Sequence, residues 1–578
     1  MTKGTARQER KTPPSPFPPR SAPFSPAGRA AAIAALGRMQ VDILVVGGGI
    51  TGAGIARDAA LRGARVALLE RDDFGAGTSG RSSRLIHGGL RYLEHGHLQL
   101  VFEASRERRT LAHIAPHLVR PLAFTWPLYA GSRVPRWKLR AGLFLYDALA
   151  LFRNLGRHRM LDGEAVAAIE PELRQHSLTG GALYYDASTD DSRLTLANAR
   201  GAAAAGALVA NHVEVRELIV EGGVVRGAMA VDTRTGEPLR VRAGVVVNAT
   251  GPWADQLLRL ADPRRPAAVR GAKGVHVAVP RDRVGNRGAV TILSPIDGRV
   301  MFVLPAGALT IIGTTETPYD GPLDEVRATA DDITYLLRSA NAFFPAAHLT
   351  IADVVSAWAG VRPLVATAVN GSTASASREH VIDRSAPGLV TVSGGKLTTF
   401  REMAAQTVDV ALRAIRDASP PPPTTHQVLL PGGDIPALDA EIAVARTEIG
   451  SPALAAHLVE SYGSEWRAVW GLARAHPTLQ TALVHGLPYI AAELRWAVEQ
   501  EMAMTLADLL VRRLHVAFDT RDHALGIAPS VAAYVAPLLG WSAARVPVEV
   551  ARYEAEVARI FGIEEPAAVP AGPDGVTA

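Results

Sequence analysis

An α/β fold closed by a helical C-terminal region is what the sequence predicts, and three observations predict it. The apolar, largely β-branched run Val41–Val46 (VDILVV) leads straight into the glycine-rich turn GGGITGAG. A second such run, Arg65–Leu69, ends on the acid Glu70. Beyond the proline spacer SPPPPTT, apolar residues recur at helical spacing. At 578 residues the chain is too long for one core, and a hydrophobic content of 48% can fill two or three.

Val41–Val46 reads as a strand buried on both faces of a parallel sheet. Gly47, Gly49 and Gly52 then fit G-x-G-x-x-G: Gly47 permits the tight turn, Gly49 lets backbone approach a pyrophosphate, and Gly52 lets the next helix, Ala53–Leu61, pack on the strand. That helix points its positive end at the phosphates, and Glu70 is placed to accept hydrogen bonds from ribose hydroxyls. This Rossmann-like order of strand, turn, helix, strand and acid predicts a dinucleotide site. A glycine-rich turn without ligand would explain the glycines but not Glu70.

FAD and NAD share this logic, and two distant segments favour FAD. Val245–Trp253 (VVVNATGPW) reads as a strand and turn. Leu389–Phe400 (LVTVSGGKLTTF) reads as a strand that breaks at Gly394-Gly395 into a helix beginning near Leu397. A helix N-terminus there suits the electron-rich pyrimidine end of a reduced isoalloxazine. There is no second G-x-G-x-x-G to mark a nicotinamide domain. Without cysteine there is no disulfide, thiolate nucleophile or cysteinyl-linked flavin, so FAD is held noncovalently or through another residue type.

From Thr78 to Val101 (TSGRSSRLIHGGLRYLEHGHLQLV) the sequence resembles the aerobic, FAD-dependent glycerol-3-phosphate dehydrogenases. Similar strings follow: APHLVRPLAF from Ala115, DDSRLTLANA from Asp190, NATGPW from Asn248, KGVHVAVP from Lys273, IIGTTETPYDG from Ile311, GVRPL from Gly360 and GGKLTTFRE from Gly394. The resemblance runs in register from about Asp42 to Arg416 and continues more weakly through Pro431–Phe518. Gly80 and Arg84 depart from it, standing where Ser and Lys are common. The resemblance implies a Rossmann-like FAD domain interleaved with an antiparallel-sheet substrate domain, of the glycine-oxidase and amino-acid-oxidase type, plus a helical C-terminal domain. It also implies that Thr78, Ser82, Ser83, Gly88, Gly89, Ala249, Gly251, Leu397 and Thr398 join the glycines and Glu70 around the cofactor. The implied reaction converts sn-glycerol 3-phosphate to dihydroxyacetone phosphate, with electrons passing to quinone.

Oxidising a secondary alcohol with flavin requires hydride transfer from carbon to N5 and removal of the hydroxyl proton. A phosphorylated substrate further calls for a cationic anchor, best a planar arginine fork. Arg91 (HGGLRY) and Arg362 (GVRPL) are the leading anchors, with Tyr92 as an added hydrogen bond. Either arginine could equally serve a structural ion pair. Lys396 follows Gly394-Gly395 and can stabilise charge on reduced flavin or alkoxide. Arg299 and Lys273 are further cations in resembling strings. The intrinsic pKa of a histidine side chain suits a base, which makes His87 and His276 the candidates, although His276 on the alternating strand GVHVAVP also reads as a core histidine. The choice between them stays open here. No metal-binding pattern accompanies His95 and His97, so no metal is predicted, and Asp190-Asp191 reads as a helix cap.

In outline, residues 1–25 form a Pro-rich flexible tail, 26–418 the interleaved FAD and substrate domains, 419–430 a linker, 431–565 the helical domain and 566–578 a second tail. Helical pattern covers Asp439–Glu448, Pro452–Tyr462, Glu465–Ala475 and Tyr489–Val516. The balance of 61 basic to 56 acidic residues is too even to mark a nucleic-acid binder. No uncharged apolar run reaches the roughly 20 residues of a membrane span, which predicts a cytoplasmic enzyme or one peripheral on a membrane face. Arg133–Phe152 (RVPRWKLRAGLFLYDALALF) is compatible with an amphipathic segment at a lipid surface, or with burial between domains. A homodimer is a further expectation. An oxygen-using oxidase, an amine or amino-acid oxidase and a noncatalytic flavin carrier are the alternatives.

Overall fold

The computed structural model describes residues 24–90, 93, 97–151, 154–365, 380–416 and 418–564. Of the two expected tails, residues 1–23 and 566–578 lie outside these. Phe24 is buried and packs on Phe74 at 5.7 Å between ring centroids. Ser25 then caps the helix Pro26–Leu36, its hydroxyl accepting from Gly28 N.

Parallel strands Leu389–Gly394, Pro238–Asn248, Gln40–Val46, Val66–Leu69 and Leu208–Ala210 lie side by side in that order. Ile43, Leu44 and Val45 are fully buried because both faces of this sheet are covered. On one face the helices Ile50–Leu61, Asp191–Ala204 and Phe400–Ile415 build a core with Ile43, Val45, Val247 and Val408. Leu36 and the antiparallel strands Val213–Glu221 and Val224–Asp232 cover the other.

The second sheet is antiparallel at almost every pairing. Val269–Pro280 lies between Ser356–Val365 on one side and Leu309–Gly313 with Thr317–Tyr319 on the other. The sheet continues through Val300–Ala306 and Ala289–Leu293 to Val119–Tyr129 and Leu178–Thr189, with one parallel joint between Ala289–Leu293 and Val119–Tyr129. Because its strands are drawn from between those of the first sheet, the two units interleave along the chain.

C-terminal helices Leu438–Ile449, Pro452–Tyr462, Trp466–Ala475, Ala491–Glu501, Ala528–Leu539 and Arg545–Phe561 follow. They share a core with the second sheet, Trp358 and Ile311 packing with Val516, Phe518 and Val535. The continuous helix expected over Tyr489–Val516 is broken. It stops at Met502, whose φ is 55°, and a π-type turn at Asp508–Arg513 follows. Asp508 accepts from Met504 N at 2.8 Å and Thr505 N at 3.1 Å, while the Thr505 hydroxyl accepts from Asp508 N at 3.1 Å. That exchange starts a new turn, and hydrophobic periodicity alone does not register it. Among the described residues no helix is long and apolar enough to cross a membrane.

Candidate active site

A cavity of about 700 Å3 opens where the parallel strands end and the second sheet faces them. At the end of Gln40–Val46 the backbone turns through Gly47 at φ +107°. A Cβ there would come within 2.7 Å of Ala249 O. Gly49 caps the helix Ile50–Leu61, which starts three residues earlier than expected, and Ile50 N donates to Ser79 Oγ at 2.9 Å. Gly52 lies behind the turn, where any Cβ would overlap Gly47 O. Glu70 accepts from Gly48 N at 2.5 Å through one oxygen and from Asp72 N at 2.8 Å through the other.

The opposite end of the cavity is built by Gly394 and Gly395, at φ +79° and +83°, followed by Lys396 and Leu397. Thr398 lies behind them. Its hydroxyl accepts from His87 N and donates to His87 O, both at 3.2 Å, so it ties the His87 segment to the glycine turn. Thr78, Ser82, Ser83, His87, Ala249, Gly251, His276 and Arg362 line the walls. Thr78 donates to Val361 O at 2.6 Å and Ser82 to Asp191 at 2.7 Å. Gly88 and Gly89 sit outside the lining, and Gly88 N donates to Asp186 at 3.0 Å.

His276 is buried, its ring stacked on Trp358 at 5.4 Å with its Nε2 2.8 Å from Ser83 Oγ. Burial, with Arg362 and Arg84 adding repulsion, lowers its pKa to about 3 and keeps it neutral. Arg362 Nη2 donates to Thr314 Oγ1 at 3.3 Å. Two expected cations are engaged away from the cavity: Arg299 pairs with Glu316 at 3.1 Å and Lys273 with Asp332 at 2.7 Å. Arg91 and Tyr92 lie outside the described residues. Asp190 caps its helix, accepting from Arg193 N at 2.8 Å.

Arg81, Ser79, Arg71, Trp253 and the strand glycines Gly274 and Gly360, none of them a site residue expected from the sequence, also line the cavity. Arg71 lies over the Trp253 ring at 4.6 Å. Burial and the neighbouring Arg559 lower the Arg81 guanidinium to about 10. Arg81 and Ser79 stand inside the string TSGRSSR, but nothing local distinguishes them from surface residues.

These features fit FAD. The glycine turn is open where a side chain would block a pyrophosphate, and a buried cation with a depressed pKa adjoins the same space, where an anion would stabilise it. Residues 42–404 match the family described as FAD dependent oxidoreductase, and 423–546 match the C-terminal domain of alpha-glycerophosphate oxidase. The chain is 41% identical over 544 residues to glycerol-3-phosphate dehydrogenase 2 of Mycobacterium tuberculosis, covering 93% of this chain and 91% of that one. The chain belongs to the FAD-dependent glycerol-3-phosphate dehydrogenase family. A Synechocystis glycerol-3-phosphate dehydrogenase is 37% identical, over 89% of this chain and 95% of its own. The FAD-complexed glycerol-3-phosphate dehydrogenase of Bacillus halodurans superposes with a TM-score of 0.77 at 32% identity, covering 94% of this chain and all of that one. The family's interleaved α/β architecture and helical C-terminal region are those described above.

Proposed function

We propose that this chain oxidises sn-glycerol 3-phosphate to dihydroxyacetone phosphate, with its electrons passing to quinone. The observation that carries the reading is the convergence of the glycine turns with Arg362, Lys396, His87 and His276 on one cavity. FAD, when bound, supplies the two-electron acceptor for the alcohol carbon. Arg362 holds the phosphate, because a planar guanidinium can give paired hydrogen bonds to its oxygens. Lys396, beside the glycine pair, offsets negative charge that develops during oxidation. With a pKa near 3, His276 is a weak proton acceptor at neutral pH and serves as a fixed polar partner of Ser83. His87, half-buried in the cavity wall, takes the hydroxyl proton.

Adding sn-glycerol 3-phosphate anaerobically should bleach the visible flavin absorbance, whereas glycine or sarcosine should not. The reverse result would make the protein an amine oxidase. Stopped-flow mixing of the reduced protein with a quinone analogue or with oxygen tests the acceptor, and faster reoxidation by oxygen would favour an oxidase. Arg362→Ala should raise KM about 10- to 100-fold while FAD stays bound, since one charge-assisted contact is worth roughly 1.5–3 kcal/mol.

Peripheral membrane attachment belongs to the same proposal. The helix Arg136–Leu149 buries Leu143 and Tyr146 but leaves Trp137 71% and Phe144 59% exposed. Arg136, Lys138 and Arg140 on the same helix are exposed. An apolar strip flanked by cations suits an anionic lipid surface. The protein should float with anionic vesicles at low salt, and Trp137→Glu should weaken flotation. Failure of the unaltered protein to float would remove this element.

A further inference from the structure

The strands Val269–Pro280 and Ser356–Val365 run antiparallel, pairing Ala272 with Arg362, Gly274 with Gly360 and His276 with Trp358. Directly opposed residues share a face, and alternate residues along a strand return to it. One face therefore carries Arg362 at one end, the His276–Trp358 stack at the other, and two opposed glycines between them. Glycine inside a strand weakens it unless something must approach the backbone closely.

At Gly274 that something is the Arg362 guanidinium. A Cβ built on Gly274 would lie 2.6 Å from Nη1, 2.7 Å from Nη2 and 2.8 Å from Cζ. The near equality of these distances places the guanidinium plate, rather than the aliphatic stem, over the glycine. The plate is held at its edge by Thr314 Oγ1 at 3.3 Å and Thr315 O at 3.4 Å. Gly274 is absent from the residues of positive φ, so its backbone accepts alanine. The atoms that must then yield belong to the tip of a flexible side chain, not to the sheet.

We propose that Gly274 is a positioning residue: its missing side chain is the seat that fixes the Arg362 guanidinium, with the Thr314 hydroxyl as latch, and so sets the enzyme's preference for a phosphorylated alcohol. This rests on the reading of Arg362 as the phosphate anchor. A side chain at position 274 would lift the plate off the strand and leave the cation present but misaimed. Affinity for phosphate would fall while FAD and the reacting centre stay as they are.

The experiment uses the FAD-loaded enzyme and reads KM and kcat for sn-glycerol 3-phosphate, the Ki of inorganic phosphate as competitive inhibitor, and the ratio of flavin to protein. Gly274→Ala should raise KM and Ki together by about tenfold, with kcat and flavin content within about twofold. Thr314→Val, which adds no bulk, should shift both constants in the same direction by about threefold. In an Arg362→Lys background, Gly274→Ala should add little, because no guanidinium remains to displace. Unchanged KM and Ki in both single variants would overturn the seat, as would a full effect of Gly274→Ala in the lysine background. Should Gly274→Ala fail to fold, Thr314→Val and its combination with Arg362→Lys decide the matter alone. Arg362→Gln separates the two levels: unchanged KM and Ki there would remove the anchor itself and the seat with it.

Discussion

The Arg513 guanidinium closes on the Asp73 carboxylate with paired contacts, Nη1 to Oδ2 at 2.5 Å and Nη2 to Oδ1 at 3.0 Å, and both side chains are shut off from solvent. Asp73 also receives Arg512 Nε at 3.0 Å and Asn211 Nδ2 at 2.9 Å. It lies three residues beyond Glu70, so the C-terminal region braces the loop that turns past the proposed ribose site. Removing one partner of a buried pair typically costs about 3–5 kcal/mol. Arg513→Met should therefore lower the unfolding temperature and weaken FAD retention together, read by thermal melts and by flavin released on gel filtration. Normal retention in a clearly destabilised variant would show that the brace does not reach the cofactor.

Gly49→Val should abolish FAD retention without unfolding the chain. Its backbone is extended, at φ −70°, and the nearest neighbour of an added Cβ is Ser79 Oγ at 3.1 Å. The obstruction therefore falls on the ligand side. Circular dichroism should match the parent while the visible absorbance is lost, and a yellow variant would displace the pyrophosphate from this turn.

Burial, with Asp72 adding repulsion, raises the Glu70 carboxyl to about 7. Ribose hydroxyls donate, so the ionised carboxylate is the form that accepts them. Below pH 7 a growing share of the apoprotein must first lose a proton, and FAD should bind roughly tenfold more weakly at pH 6 than at pH 8. Titrating apoprotein with FAD by fluorescence quenching measures this, and Glu70→Gln should flatten the dependence.

His276 has a lowered pKa, about 3 when folded against an ordinary 6.5. The unfolded chain therefore binds the extra proton as pH falls below about 6.5, while the folded protein refuses it until about 3. Stability contributed by the neutral, buried ring is present above that window and is lost as pH drops through it. His276→Asn has no such term, so the gap in unfolding temperature between parent and variant should be smaller at pH 5 than at pH 8. An equal gap would mean that the ring takes up its proton as readily in the folded protein as in the unfolded chain.

Local chain chemistry made much of this site legible. The run from Val41 through Gly49 to Glu70 is contiguous, and each residue acts within one strand–turn–helix unit. The same holds for Gly394-Gly395 at the end of a strand and for Asp190 as a cap. The cations were less legible, because an arginine's partner depends on what the fold brings beside it. Arg299 sits in a family-like string yet spends its charge on Glu316 and Asp297. Arg81, within a string already singled out, lines the cavity. The break at Met502 escaped for a related reason: the apolar period continues through a stop that hydrogen bonds at Asp508 and Thr505 impose.

By itself, then, the sequence determined the α/β class and the glycine turns, since these depend on residues close together in the chain, and it pointed to FAD and the family through strings spread along the chain that resemble the family's. Only the tertiary structure decided which cations face the cavity, that His276 is held neutral against Trp358, and that Gly274 lies under Arg362. Each of these is a relation between strands or units separated by tens to hundreds of residues, set by sheet register and burial, and neither quantity is written in local order.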